Sequence, residues 1–122
     1  MQEHDPLTER IIGCAFKVAN TLGHGFLEKV YENALAHELR KAGLGVVQQH
    51  GLEVHYDEVL VGEFMVDLLV EGRVLVELKA VSGILDAHMA QSLNYLKASG
   101  KPVCLLLNFG PSLQVRRLVH GS

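Results

Sequence analysis

The segment GRVLVELKAV, residues 72–81, decides how this chain folds. Its run of valine and leucine predicts a buried β-strand, but Glu77 and Lys79 interrupt that run two residues apart. Side chains two residues apart on a strand point to the same face of the sheet. The segment therefore predicts a strand with two charges on one face, an arrangement that a purely structural strand does not need.

A short turn precedes this strand and sets its pairing. Residues 59–70 (VLVGEFMVDLLV) predict another strand, and residues 71–73 (EGR) predict a turn of three residues. With a turn of that length, Val70 faces Val74. A two-residue turn would shift the pairing by one residue, which reverses the faces of a strand.

The three-residue turn brings two acidic side chains together. It places Asp67 opposite Glu77 with Lys79 on the same face, and it assigns to the other face Val66, Leu68, Val76 and Leu78. Two carboxylates about 5 Å apart on a sheet raise each other's pKa unless a cation neutralises them. Magnesium suits such a pair, because it takes one or two carboxylates, several waters and a phosphate oxygen. Lys79 would hold a water or stabilise charge on a phosphate.

The same three side chains have alternative explanations. Asp67, Glu77 and Lys79 could form a salt-bridge cluster on a solvated face, since an acid followed about ten residues later by Glu-x-Lys also recurs by chance. A glycosidase with two catalytic carboxylates is a weaker alternative. A lysine beside paired acids fits the charge of a phosphate better than that of an oxocarbenium ion.

The remaining segments predict an α/β fold with helices on both sides of a sheet. Helical spacing between start and stop signals predicts three helices, which begin after Asp5, at Leu27 and at Asp86 and end at Gly23, Gly43 and Gly100. Strands are predicted at residues 45–57, 59–70, 74–81, 102–109 and 112–119. The order is helix, helix, three strands, helix, two strands, in one domain that spans residues 1–122.

Composition excludes several classes of protein. The chain has 122 residues, 48% of them hydrophobic, and a formal net charge of −3, which does not indicate a nucleic-acid binder by charge alone. No apolar run approaches the roughly 20 residues needed to span a bilayer. Cys14 and Cys104 lie far apart, on a predicted helix and a predicted buried strand, which indicates a reduced, cytoplasmic protein.

Polar residues also mark the predicted helices. Glu28 lies in the first turn of the second helix, where the helix dipole favours a carboxylate, so it serves either as a capping charge or as part of a site. On the third helix, His88, Gln91 and Tyr95 form one polar stripe. The stripe can face solvent without a function. If it faces the charged strand, Gln91 can orient a water or a phosphate, with Tyr95 hydrogen-bonding beside it.

The last predicted strand, residues 112–119 (SLQVRRLV), has the alternation of an edge strand. Arg116 and Arg117 point to opposite faces there, so at most one of them can join a given phosphate-binding surface. A small domain with such an edge is expected to self-associate as a homodimer about a two-fold axis.

Together these motifs resemble the PD-(D/E)xK nuclease superfamily. The resemblance rests on Asp67, then Glu77-Leu78-Lys79 across a hairpin, then Gln91 and Tyr95 in a Q-x-x-x-Y element similar to that of its RecB-like branch. The segment GHGFLEKVYENAL carries Gly25, Glu28 and Tyr31 in the spacing that names the GxxExxY family, and LLLNFG near the C-terminus is also similar to that family. The resemblance runs from about residue 7 to residue 119, with Val66 where the superfamily name has proline.

This resemblance implies a fold and an activity. The implied fold is restriction-endonuclease-like, a central mixed β-sheet flanked by helices, and the implied activity is metal-dependent hydrolysis of DNA or RNA. The implied ligands of magnesium or manganese are Asp67, Glu77, the Leu78 carbonyl and Glu28; Lys79 would be catalytic, with Gln91 and Tyr95 completing the site. The alternative is a catalytically silent module that binds a protein or nucleic-acid partner, because so small a chain without an obvious basic patch has little surface to grip a duplex.

Overall fold

The computed structural model describes residues 5–119. Within that range the elements are α1 (Pro6–Leu22), α2 (Glu28–Lys41), β1 (Val46–Tyr56), β2 (Val59–Val70), β3 (Val74–Lys79), α3 (Asp86–Ser99), β4 (Val103–Phe109) and β5 (Leu113–Val119). The predicted order ααβββαββ is confirmed.

Helices α1 and α3 begin and end at the residues that signalled them, whereas α2 begins at Glu28, one residue after Leu27, and its C-cap is Ala42, one residue before Gly43. The Asp5 side chain accepts a hydrogen bond of 2.9 Å from the Leu7 N–H, and Pro6 occupies the first turn of α1, where no N–H is needed. Gly100 ends α3 in the left-handed conformation, at φ 69°, which glycine adopts without a steric penalty. Local sequence therefore sets these boundaries.

The five strands form one mixed sheet in the order β1-β2-β3-β4-β5. β3 and β4 are parallel, and α3 is the crossover that parallel neighbours require, whereas the other pairs are antiparallel. All seven residues of β4 are buried, and β5 lies at an edge, as predicted. Val70 pairs with Val74, which confirms the three-residue turn.

Helices cover both faces of the sheet. α1 and α2 pack on one face, where the fully buried Leu35 and Leu39 contact the core that contains Leu68 and Val76. On the other face, α3 packs over a second buried cluster of Leu52, Val66, Leu69, Leu75, Tyr95, Leu96 and Cys104. Burying one leucine contributes about 1.5 to 3 kcal/mol, so such contacts hold each helix against the sheet.

Val66 lies on the opposite face from the one predicted. It joins the α3 side, while Leu68 joins the α1–α2 side. The pairing of β1 with β2 passes from Gln48–Leu68 to His50–Val66 without a pair at Gln49, whose φ of 55° interrupts the extended backbone. Regular alternation is lost there, so sequence spacing assigned Val66 to the wrong face.

Two further properties of the described residues concern the environment of the chain. No helix within residues 5–119 is both long enough and apolar enough to cross a membrane. Cys14 is half-buried and Cys104 is buried, and both are free thiols. Burial raises the pKa of the Cys104 thiol to about 12, so this cysteine is an inert core residue.

Candidate active site

The two predicted acids lie where β2 and β3 separate. The main-chain pairing of these strands ends at Leu68–Val76. Beyond it, the Asp67 N–H donates to Glu77 Oε1 at 2.9 Å, and the Leu78 N–H donates to Asp67 Oδ2 at 2.8 Å. Each carboxylate thus replaces a main-chain acceptor of the opposite strand. One oxygen of each acid is fixed in this way, and the other is left for further partners.

Burial and mutual repulsion perturb both acids. Glu77 is only 6% exposed, and burial, followed by the charge of Asp67, raises its pKa to about 8. Burial also raises the pKa of Asp67. The hydrogen bond from the Leu78 N–H lowers that pKa, but burial has the larger effect. The pair therefore holds negative charge poorly without a cation, which is the behaviour expected of adjacent carboxylates in a low-dielectric site.

Lys79 is half-buried beside the acids. Its positive charge lowers the pKa values of Glu28, Asp67 and Glu77, so it lies close to all three. Within residues 5–119, however, Lys79 forms no ion pair. The close salt bridge that the structural alternative requires is therefore absent from the described residues.

Glu28 is the first residue of α2 and faces the same spot. Much of the Glu28 side chain is exposed to solvent. The protein around the rest of it raises the pKa of its carboxyl group, and the charge of Asp67 raises that pKa further. A position in the first helical turn also favours its carboxylate. Two separate elements, α2 and the β2–β3 pair, thus supply acids to one site.

Two residues that the sequence did not single out extend this site. Glu32 on α2 is 3% exposed, and its Oε1 accepts hydrogen bonds of 2.9 Å from Gln49 Nε2 and Lys29 Nζ. Its Oε2 accepts another, also of 2.9 Å, from Gln48 Nε2. Gln49 Nε2 lies 3.4 Å from Asp67 Oδ1 as well. Gln49 therefore connects a buried carboxylate of α2 to the acid of β2.

A sequence pattern places Glu32 near the site, but none does so for Gln49. Glu32 follows Glu28 by one helical turn, so the i, i+4 spacing could have placed both on one face of α2. Gln49 has no such signal. Strand alternation points its side chain away from that of Gln48, and only the left-handed backbone at Gln49 turns both amides toward Glu32.

α3 contributes one side chain directly. Tyr95 is 7% exposed, and burial raises its pKa, with the charges of Glu77 and Asp67 adding to the shift. Gln91 lies one turn earlier, is exposed, and makes no side-chain hydrogen bond within residues 5–119. His88 Nδ1 accepts a hydrogen bond of 3.0 Å from the Leu85 N–H, so this histidine caps the start of α3.

The LLLNFG segment anchors the loop that leaves β3. Asn108 is fully buried, and its side chain bonds to both main-chain groups of Val81 at 2.9 and 3.0 Å. Its amide also donates to Gln114 Oε1 at 2.9 Å, which accepts from the Ile84 N–H at 3.2 Å. A Cβ at position 110 would collide with the Val81 carbonyl, so Gly110 is required. These hydrogen bonds hold in place the loop that follows Lys79.

The donor set permits a hard cation without forming a complete cage. Within residues 5–119, no three His, Cys, Asp or Glu side chains are arranged to hold a metal ion. One oxygen each of Asp67 and Glu77 is bonded to a main-chain N–H, which leaves one oxygen of each acid for an ion. Magnesium needs only one or two carboxylates because it keeps several waters. A divalent ion would neutralise two adjacent acids that hold negative charge poorly without it, so the pair fits such an ion.

Comparison with known proteins identifies the superfamily and the fold. Residues 5–118 match the family model described as the PD-(D/E)XK nuclease superfamily. The fold is similar to that of an alkaline exonuclease from Laribacter hongkongensis, with a TM-score of 0.55 and 10% identity over 99% of this chain and 73% of that chain. No curated protein sequence matches the chain. The predicted restriction-endonuclease-like α/β fold is confirmed.

Proposed function

Because the chain belongs to the PD-(D/E)XK nuclease superfamily, we propose that it is a metal-dependent nuclease that hydrolyses phosphodiester bonds of DNA or RNA. The observation that carries the proposal is the pair of Asp67 and Glu77. Both carboxylates have raised pKa values, and each bonds to the opposite strand. Perturbed acids of this kind concentrate at functional sites. The spacing of Gly25, Glu28 and Tyr31 supports the finer assignment to the GxxExxY family and the RecB-like branch.

Asp67 and Glu77 would hold the divalent ion, with the Leu78 carbonyl and Glu28 as further ligands. Nucleases of this superfamily typically use divalent metals, and oxygen ligands suit magnesium or manganese. When bound, such an ion supplies positive charge that offsets the phosphate and lowers the pKa of a water. The main-chain bonds to both acids support this role, because each fixes one oxygen of its carboxylate and so orients the other oxygen, which is left for the ion.

The other side chains act on the substrate itself. Lys79 has no ion-pair partner within residues 5–119, so its ammonium group is available to stabilise charge on the phosphate or to hold the attacking water. Burial beside two acids keeps the Tyr95 hydroxyl protonated, so it serves as a hydrogen-bond donor there. Gln91, exposed one turn away, would orient the water or a neighbouring phosphate.

One assay tests the activity. The full chain is incubated with single- and double-stranded DNA and RNA, and with magnesium, manganese or EDTA. We expect cleavage with either metal, none with EDTA, and none with Glu77→Ala. Glu63→Ala, at an exposed position of the same hairpin, is the matched control and should cleave like wild type. A wild type that binds nucleic acid but cleaves no substrate would instead support a silent module.

Gln49 is expected to position Asp67, and Gln48 provides the control. Both amides donate to Glu32, so Gln49→Ala and Gln48→Ala should each lower the free energy of unfolding by about 1 to 3 kcal/mol. Only Gln49 also contacts Asp67, so only Gln49→Ala should lower kcat, by about tenfold. Urea unfolding and single-turnover cleavage measure the two effects. Equal losses of kcat in both variants would refute a positioning role for Gln49.

Two expectations from the sequence stay predictions. We propose that two copies of the chain associate, and the position of β5 at the sheet edge supports this. We also propose a reducing, cytoplasmic location, which the free thiols of Cys14 and Cys104 support.

A further inference from the structure

A polar pocket lies at the turn of the β2–β3 hairpin. It has a volume of about 580 Å³, and Arg10, Arg73 and Arg117 line it together with Asp5 and Glu71. Glu71 and Arg73 are the first and last residues of the turn, four residues from Asp67 and Glu77 respectively, which is about 13 Å along each strand. We call this site the arginine pocket. It is separate from the acids that form the candidate active site.

The two acids of the arginine pocket are already engaged. Asp5 Oδ2 pairs with Arg73 Nη2 at 2.8 Å, and Asp5 Oδ1 accepts from the Leu7 N–H at 2.9 Å. Glu71 Oε2 accepts from the Gly45 N–H at 2.5 Å. Three guanidinium groups thus face two acids, of which Asp5 has partners for both carboxylate oxygens and Glu71 for one. The lining residues in the described range carry three positive and two negative charges, although the whole chain carries −3.

Arg117 is the residue that most requires a ligand. Its side chain is half-buried, and among residues 5–119 its buried Nε has no hydrogen-bond partner. An unsatisfied buried donor is unfavourable, and in native proteins such a group usually has an acceptor, which can be a bound ion. The neighbouring Arg116 differs. It is exposed, points to the opposite face of β5, and donates from Nη1 to the Val115 carbonyl at 3.0 Å.

The chemistry of the lining selects the ligand. Arg10 uses Nη2 for a hydrogen bond of 2.6 Å to the Ala42 carbonyl, which leaves its remaining donors for the pocket. Guanidinium groups bind phosphate oxygens through paired hydrogen bonds, and the pocket also lies at the N-terminus of α1, the positive end of that helix. Leu7 and Leu44 supply an apolar wall, and the volume exceeds that of a lone phosphate group.

We propose that the arginine pocket binds the phosphate group of a small ligand, either inorganic phosphate or a nucleoside monophosphate. The phosphate would accept hydrogen bonds from Arg117 and from the free donors of Arg10 and Arg73. In the monophosphate, the nucleoside would contact the apolar wall. Binding there does not depend on the proposed nuclease activity, since it uses none of the same residues.

Ligand-dependent melting of the full chain tests this site. Melting temperatures are measured in EDTA with increasing phosphate or nucleoside monophosphate, against sodium chloride at equal ionic strength. We expect both phosphates to raise the melting temperature beyond the effect of chloride. Arg117→Ala should weaken the affinity by about tenfold or more, whereas Arg116→Ala, which removes the same charge one residue away, should leave it unchanged.

Further variants and the comparison of the two ligands decide whether the arginine pocket binds phosphate and from which ligand. If Arg117→Ala does not fold, Arg117→Lys replaces it, because lysine keeps the charge but loses the planar fork, and it too should bind more weakly. Tighter binding of the monophosphate identifies a nucleotide site, and equal binding of both ligands identifies an inorganic phosphate site. No stabilisation beyond chloride, or equal weakening by Arg116→Ala and Arg117→Ala, would overturn the proposal. Glu77→Gln should bind phosphate like wild type, which separates this test from that of the nuclease.

Discussion

Glu77→Gln is expected to lower cleavage at least about a hundredfold and, in metal-free protein, to increase stability. The loss of activity follows because glutamine cannot supply the negative charge that would hold a divalent ion. The gain in stability follows because glutamine resembles the protonated acid, which burial beside Asp67 favours. Its carbonyl oxygen can still accept the hydrogen bond from the Asp67 N–H. Activity and stability should therefore change in opposite directions.

The gain in stability should depend on pH in a defined direction. The pKa of Glu77 is about 8 in the folded protein against an ordinary value of 4.5, so the folded state binds a proton that the unfolded state has released between these pH values. The contribution of Glu77 is thus fully present below pH 4.5 and is lost as the pH rises through 8. Glutamine does not titrate. Its advantage over glutamate should be small in acid and reach on the order of 1 to 4 kcal/mol in alkali.

Urea unfolding in EDTA at about pH 4, 6 and 9 measures this effect. Glu63→Gln is the matched control, because it removes the same charge from an exposed position of β2 and should change stability little. Magnesium should then raise the melting temperature of wild type but not that of Glu77→Gln. If Glu77→Gln is less stable than wild type at every pH and magnesium stabilises neither protein, the acid is structural.

Sequence predicted most of the fold because its signals are local. Asp5 and Gly100 act within one helical turn, and the turn at residues 71–73 sets the β2–β3 register by its length alone. The proximity of Asp67 and Glu77 follows from the same count, although the main-chain pairing ends before them. These features depend on neighbours in the chain, so a single sequence contains them.

The details of the site depend on the shape of the backbone, which the sequence does not signal. Asp67 and Glu77 bond to main-chain groups because β2 and β3 separate beyond Leu68–Val76, and no residue pattern announced that separation. The left-handed backbone at Gln49 likewise directs the Gln49 side chain toward Glu32, which connects Glu32 to the site. A non-glycine residue in that conformation stores strain, and such strain is common at functional sites.

α3 illustrates the limit of helical spacing. Helical spacing placed Gln91 and Tyr95 on one stripe of α3, but spacing alone does not tell how deeply each side chain is buried. Tyr95 packs against the ring of Phe64, with centroids 5.7 Å apart, and is buried beside the acids, whereas Gln91 reaches solvent. The orientation of the helix relative to the sheet decides this difference, and it arises from the packing of the whole second core.

Lys79→Met is expected to lower cleavage by about a hundredfold or more while preserving the response to magnesium. The lysine would stabilise charge on the substrate, so its loss removes a contribution to the transition state. It is not expected to hold the ion. Its positive charge lowers the pKa values of Glu28, Asp67 and Glu77, so without it the acids repel each other more strongly and gain more from a bound cation. Magnesium should therefore raise the melting temperature of Lys79→Met at least as much as that of wild type.

Lys29→Met is the matched control for this substitution. Lys29 lies one residue after Glu28 on α2, and its Nζ is paired with Glu32 at 2.9 Å, so its removal takes a positive charge from the same region without touching Asp67 or Glu77. This control should cleave at close to the rate of wild type. If Lys79→Met and Lys29→Met lose activity equally, only the net charge of the region matters. Lys79→Met could instead lose both stability and the response to magnesium. In that case the lysine belongs to a structural cluster with the acids, and the assignment of a catalytic role to Lys79 is wrong.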